Sequence, residues 1–407
     1  MKQSEAWVGG LAVRAMLALA AVGSAVPAYR YAEVATLRTN APLDASRIAP
    51  LDASALANAL GSRFDGNPEF KPGMRDIADV RSALIEQPLE PNLLGILGLA
   101  YEASGDPKRA AETMRVANRA SRRDSVSGLY LIESASASGD VKATLRHYNA
   151  VLSTKPELNA ALLPILSSAI AYPEIRAELR PYLQIPAKWV PAFLAVASER
   201  GGLTDLQALL LPLPRALLND EYAPILASVL YRFAVEEDRD SAVRFAATAI
   251  PGLPGASLSN LIPAPATRDK RLGLFAWTFP TNDGIRAEVG NNGSLQISAD
   301  PLARGAVATR DLLLVAGAKY QLDQQVEYGS GSARIDARWS ADCITPGGTS
   351  RFWEQRLPAA EAKGPFRSEL VIPQDCKVVR MTLFVEGPDG QMPATLVVGG
   401  LLLSRIS

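Results

Sequence analysis

Between residues 91 and 158 apolar positions recur at helical spacing. Leu94, Leu97, Gly98 and Tyr101 occupy one set of places and Ala110 and Met114 a second. Gly128, Leu131, Ile132 and Ala135 then repeat the first set, and Thr144 and Tyr148 the second. The tetrad Ala103-Ser104-Gly105-Asp106 returns from residue 137 as Ala137-Ser138-Gly139-Asp140, an offset of 34 residues. Each tetrad predicts a turn between two helices: the glycine accepts positive φ after the first helix, and the aspartate caps the second. Upstream, Ala41-Pro42-Leu43-Asp44-Ala45 recurs as Ala49-Pro50-Leu51-Asp52-Ala53. It predicts short proline-broken helical pieces leading into a looser repeat with an insertion around Asn67 to Pro72. From about Asn159 to Ala249 leucine and alanine keep a helical period. Prolines at 164, 173, 181, 186, 191, 212, 214 and 224 interrupt it, which predicts several short helices, the last over Ser241 to Ala249.

After Lys270-Arg271 the texture changes to alternation. Ala333, Ile335, Ala337 and Trp339 alternate with Arg334, Asp336, Arg338 and Ser340, as a half-buried strand requires. Leu312 to Val315, Leu322 to Tyr328, Val378 to Val385 and Leu396 to Leu403 predict further strands, with turns at Asn291-Asn292-Gly293, Gly329-Ser330-Gly331 and Gly387 to Gly390. About ten short strands without intervening helix imply an antiparallel β-sandwich. Its first strand, Phe275 to Phe279, is expected to pair near the last, which ends at Leu403. The expected fold class is multidomain α plus β: an N-terminal segment over 1–30, a helical solenoid over 31–255, a Pro/Gly-marked linker over 256–271 and a sandwich over 272–407. The sandwich could also pack against residues 159–250 as a structural cap.

The helical pattern resembles the tetratricopeptide-repeat family, with the clearest repeats over 91–124 and 125–158. Pro88 and Pro156 close units two periods apart; Arg122 and Asp124 stand where a proline boundary is expected, and Thr144 replaces a small residue. The resemblance implies a protein-binding groove with the first helix of each pair on the concave side, lined by Asn92, Tyr101, Asn118, Tyr130 and Glu133. The C-terminal texture resembles the jelly-roll modules of carbohydrate-active and envelope proteins. Repeats joined to such a module are similar to proteins of bacterial exopolysaccharide production and export, which implies a cell-envelope role. For a glycan contact the candidates are Tyr328, Arg334, Asp336, Arg338, Phe352 and Trp353, since aromatic faces stack on sugar rings and polar neighbours fix hydroxyls. The Arg-Asp-Arg row reads equally as a solvated, self-paired face, and Trp277 and Trp339 as core. Such modules often carry structural calcium, for which Asp300 or Asp389 could serve in loops.

The N-terminus bears on compartment. From Ala6 to Tyr29 the only charge is Arg14. The segment reads as an uncleaved membrane anchor or as a signal peptide cut near Gly23-Ser24-Ala25 or Val26-Pro27-Ala28. Either places the bulk of the chain in the bacterial envelope, at the periplasmic face of the inner membrane or exported. An oxidising compartment lets the two cysteines, Cys343 and Cys376, close a disulfide. With 42 basic and 42 acidic residues the charges cancel, and no basic stripe interleaved with aromatics points to nucleic acid. The single histidine, His147, sits in a repeat helix; no Gly-x-Ser-x-Gly, Walker loop, dinucleotide fingerprint or His-Glu-x-x-His occurs. The expectation is a binding protein without catalysis or cofactor. It is either a scaffold whose repeats hold an envelope protein or a lectin-like protein whose sandwich holds a polysaccharide.

Overall fold

The computed structural model describes residues 29–66, 72–211, 214–290, 292–329, 334–345, 347–358 and 365–406, the side chains of 64–66, 256 and 266 excepted. The N-terminal segment through residue 28, most of the insertion after Asn67, and Ser330 lie outside them. Among the described residues no helix is long and apolar enough to cross a membrane. Contacts divide the chain into two compact units, Met1–Asn159 and Ala160–Ser407.

The first unit is helical: residues 29–40 (α1), Pro42–Ile48 (α2), Ala53–Gly66 (α3), Met74–Glu86 (α4), Pro91–Ala103 (α5), Pro107–Ala120 (α6), Ser125–Ala137 (α7) and Val141–Thr154 (α8). The two predicted turns form as expected. Gly105 and Gly139 take φ of 78° and 73°. Asp106 accepts from the Arg109 amide at 3.1 Å and Asp140 from the Ala143 amide at 2.9 Å, capping α6 and α8. Within the hairpins small residues meet large ones. A Cβ on Gly98 would lie 2.8 Å from Met114, and one on Gly128 2.6 Å from Val151. One period before Gly128 and Val151 stand Leu94 and Ala117, so large and small are exchanged and the filled volume is roughly kept.

The second unit opens with helices Asn159–Ala169 (α9), Pro173–Gln184 (α10), Val190–Arg200 (α11), Leu203–Leu210 (α12), Ala223–Glu236 (α13) and Arg239–Ala249 (α14). Pro173, Pro191 and Pro224 sit in first turns, where their missing N–H costs nothing. Pro164 and Pro181 do not end their helices but lie inside α9 and α10. Ser241 to Ala249 is the body of α14, capped by Asp238.

The described strands are Ile285–Val289 (β1), Leu295–Ala299 (β2), Arg304–Leu312 (β3), Lys319–Tyr328 (β4), Asp336–Thr345 (β5), Gly348–Arg356 (β6), Phe366–Val371 (β7), Val378–Glu386 (β8) and Ala394–Ile406 (β9). They form a five-stranded sheet in order β1-β2-β9-β4-β7 and a four-stranded sheet in order β3-β8-β5-β6, antiparallel throughout. Their inner faces close over Trp339, Leu322, Leu396, Met381 and Leu383. In β9 the inward set runs Leu396, Val398 and then Leu401, Leu403. Gly400, at φ 61°, supplies the irregularity that shifts the alternation by one residue. Cys343 on β5 and Cys376 form the expected disulfide, with a Cα–Cα distance of 5.5 Å.

Two expected strands change: Leu313 to Val315 lie beyond the end of β3 at Leu312. Phe275 to Phe279 is not a strand paired with β9. Residues Lys270–Phe275 are a 3-10 turn, and only Thr278 bridges a strand, at Thr309 on β3. Residues of the linker are bonded to the sandwich. Arg310 on β3, fully buried, donates from its guanidinium to the carbonyls of Phe275 (2.9 Å), Asn260 (2.9 Å) and Ser257. Helices and sandwich of this unit are joined directly, as a cap would require. Lys377 Nζ donates to the carbonyls of Val235 (3.0 Å), Glu236 (3.3 Å) and Glu237 (3.0 Å), neutralising the C-terminus of α13. Asp311, buried, receives both nitrogens of Arg380 at 2.7 and 2.9 Å.

Candidate functional site

A cavity on the helical unit adjoins α5. Asn92, Ile96 and Leu99 fall on one face of α5 by their i, i+4, i+7 spacing. With Val126 of α7, Arg38, Pro42 and Asn58 they surround a cavity of about 630 Å³. Of the residues expected in a groove, Asn92 is at the cavity wall. Tyr130 and Glu133 lie one and two turns from Val126 on the same face of α7, and the Tyr130 hydroxyl donates to Glu102 of α5 at 2.8 Å. Burial, then this hydrogen bond and the charge of Glu133, push the Tyr130 phenol up to about 12. Tyr130 is therefore a neutral donor across the range in which proteins work. Tyr101 faces elsewhere: its ring is flanked by the guanidinium groups of Arg81 at 5.7 Å and Arg109 at 6.0 Å. Asn118 is half-buried on α6, the second helix of its hairpin. The structure thus brings Asn92, Tyr130 and Glu133 onto α5 and α7 and leaves Tyr101 and Asn118 on other faces. Ile96, Leu99 and Val126 were not anticipated. Their only sequence signal is that α5 and α7 are apolar on more than the side that packs in the hairpin.

On the sandwich, five of the six glycan candidates are tied into the fold. Tyr328 packs on the core, and its hydroxyl donates to the Pro358 carbonyl at 2.8 Å. Burial pushes its phenol upward. Arg338 lies over the Phe384 ring at 4.3 Å and pairs with Glu386 (3.0 Å) and Glu354 (3.6 Å), while Asp336 pairs with Arg356 at 3.1 Å. Arg338 and Asp336 thus find their partners on the neighbouring strands β6 and β8 and not in each other. Arg334 is exposed just before β5. Phe352 is an extra residue in the β5–β6 register, between Arg351 opposite Asp342 and Trp353 opposite Ala341. The bulge breaks strict alternation, so both aromatics pack partly on the core rather than one turning outward. The Trp353 indole donates to the Glu369 carbonyl at 2.9 Å and joins the edge strands β6 and β7 of the two sheets.

A more open surface lies on the other sheet. Arg286 and Glu288 of β1, Gln296 and Ser298 of β2, and Thr395 and Val397 of β9 border a shallow trough of about 420 Å³. Cross-strand register sets Arg286 beside Ser298 beside Thr395, and Glu288 beside Gln296 beside Val397. Period-two alternation places these side chains opposite the core-facing Ile285, Leu295 and Ile297, a signal present in the sequence but masked by the shortness of β1 and β2.

His147 is half-buried on α8, and burial, aided by Arg146, lowers its pKa. Among the described residues no group of three His, Cys, Asp or Glu side chains is placed to hold a metal. The loops of Asp300 and Asp389 adjoin through Leu302 N to Pro388 O at 3.0 Å, without a third acidic donor.

No protein-family model and no curated protein matches the chain. Similar solved structures include one described as CBM4 (12% identity, TM-score 0.26), covering 32% of this chain and 88% of that one. Another is the CBM22-1 xylan-binding domain of Paenibacillus barcinonensis Xyn10C (14% identity, TM-score 0.24), covering 32% of this chain and 86% of that one. A family 16 carbohydrate-binding module shares 10% identity at a TM-score of 0.25 and covers 35% of this chain and 99% of that one. Identities and TM-scores of this size do not carry those proteins' ligands to this chain.

Proposed function

We propose that the protein is a non-catalytic scaffold of the bacterial cell envelope, and that its α5–α8 hairpins are tetratricopeptide-type repeats holding a protein partner. The segment 1–30 would tether it at the periplasmic face of the inner membrane or direct its export. The observation that carries this reading is the groove along α5 and α7. It combines apolar side chains, half-buried Leu99 and exposed Val126, with amide groups (Asn58, Asn92) that can pair with a partner's backbone, a mix suited to a peptide segment. A photo-cross-linker placed at Leu99 or Val126 in the producing cell is expected to capture one and the same partner. The same probe at Lys188, on the other unit, should capture none, and Leu99→Arg should cut the yield from Val126 by about 10-fold or more. Identical capture from Lys188 would reject the groove.

A second reading, recognition of a polysaccharide of the production or export pathway, is favoured by the trough on β1-β2-β9. It offers Arg286, Glu288, Gln296 and Ser298 to hydroxyl-bearing ligands at an open surface. Calorimetry of the full chain against the producing cell's surface polysaccharide should give saturable heat, weakened about 10-fold by Arg286→Ala with Gln296→Ala. Unchanged heat in that variant would remove the trough from consideration.

A further inference from the structure

The chain is electrically neutral as a whole, yet one helix carries a row of cations with a single acidic side chain, Glu112, among them. Lys108, Arg115, Arg119 and Arg122 recur at intervals of seven, four and three residues from the start of α6 to the turn beyond it, all exposed, with Arg123 beside them. They lie opposite the buried Ala110, Met114 and Ala117 and extend over about 21 Å at the helical rise. On α8, Lys142 and Arg146 are likewise exposed. Glu112 is the one acidic side chain along the α6 row. Among the described residues, none of these seven cations has a recorded ion pair. Several arginines elsewhere are matched, among them Arg38 by Asp52, Arg176 by Asp205, Arg232 by Glu236, Arg351 by Asp342, Arg367 by Asp323 and Arg380 by Asp311; what sets the α6 cations apart is their alignment on one helix face.

We infer that this face of α6 and α8 docks on a membrane surface bearing anionic phospholipid headgroups. The row is straight and open, and α6 lines none of the cavities described above, so it matches an extended anionic plane better than an enclosed small anion. No aromatic side chain interrupts it, and the exposed large apolar residues of the protein include none on α6 or α8. Base stacking and sugar stacking therefore have no platform there, and neither does insertion into the acyl region. Long basic side chains on a smooth face attract anionic headgroups, each by about a fivefold increase in affinity, and the attraction fades within a Debye length. The inference rests on the row alone and not on the segment 1–30.

The test is co-sedimentation of the full chain with vesicles of phosphatidylcholine, with and without about one-third phosphatidylglycerol. The quantity read is the preference for the anionic vesicles, because an apolar N-terminal segment would raise binding to both. Wild type should prefer them at low salt and lose the preference at high salt. Arg115→Gln/Arg119→Gln/Arg122→Gln/Arg123→Gln should reduce the preference by about 600-fold at low salt, and by less as salt screens the charges. Lys142→Gln/Arg146→Gln should give a smaller loss. Circular dichroism checks that both stay helical. A control with the same change in net charge, Lys188→Gln/Arg200→Gln/Arg304→Gln/Arg405→Gln, alters exposed cations of the other unit and should keep the preference. Equal binding to both vesicles, an unaffected α6 variant, or a control that loses as much would each overturn the inference. Retention of wild type by a polyuronate column without any lipid preference would overturn it in favour of an acidic polysaccharide.

Discussion

Replacing Arg310 with methionine is expected to destabilise the C-terminal unit by about 4 kcal/mol, although methionine fills most of the space and avoids burying a cation. The guanidinium is fully buried and bonded to three main-chain carbonyls, Ser257, Asn260 and Phe275, with no carboxylate in the set. Burial pushes it down to about 10, still far above neutrality, so it remains charged at pH 7. Each carbonyl left without a donor costs about 1–3 kcal/mol, and release of the dehydrated cation returns part of the sum. Arg310→Lys keeps the charge but can reach fewer carbonyls at once, so it should fall between wild type and methionine. Urea unfolding followed by tryptophan fluorescence suits the measurement. Four of the five tryptophans, Trp189, Trp277, Trp339 and Trp353, lie in this unit, and Trp7 lies outside the described residues. If segment 257–275 detaches instead of staying dry, the carbonyls hydrate, the loss shrinks, and a protease site should open between Ser257 and Phe275. A methionine variant with wild-type stability and wild-type protease resistance would show that Arg310 does not hold the segment.

That role was out of reach of the sequence, where Arg310 sits among Thr309 and Asp311 as one more polar residue of a strand. Its partners are backbone carbonyls 35 to 53 residues away, which carry no side-chain signature. Local chemistry, by contrast, was legible. The Gly-Asp turns fix φ and cap within four residues of themselves, and Gly105, Gly139, Asp106 and Asp140 behave accordingly. The two cysteines left a single intramolecular pairing. Of the residues that repeat spacing put in a groove, Asn92 lines the cavity beside α5, whereas the Tyr101 ring lies between Arg81 and Arg109, two cations contributed by neighbouring helices. Strand pattern located most of the sandwich. It could not reveal the bulges at Phe352 and Gly400, because register is decided by the partner strand as well as by alternation.

Trp339→Ala is expected to cost about 5 kcal/mol, because two losses coincide in the sandwich core. The indole is fully buried between the sheets, with Trp277 at 6.5 Å, and its removal leaves a large void where the neighbouring strands cannot close in, at about 3–5 kcal/mol. The indole N–H also donates at 2.9 Å to Oε1 of Gln324, whose Nε2 is buried without a hydrogen-bond partner. Truncation would therefore isolate the whole Gln324 amide, adding about 1–2 kcal/mol. The two parts separate in a double-mutant cycle. Gln324→Leu removes the orphan, so the pair Trp339→Ala/Gln324→Leu should be less destabilised than the sum of the single variants by about 1 kcal/mol or more. Trp339→Phe keeps most of the volume and loses only the donor, so its cost should stay near 2 kcal/mol. Fluorescence of Trp277 and Trp353 still reports unfolding in every variant. Strict additivity in the cycle would mean that Gln324 already finds water in the native core. Its amide would then belong to a hydrated pocket, and the destabilisation by Trp339→Ala would fall to that of the cavity alone.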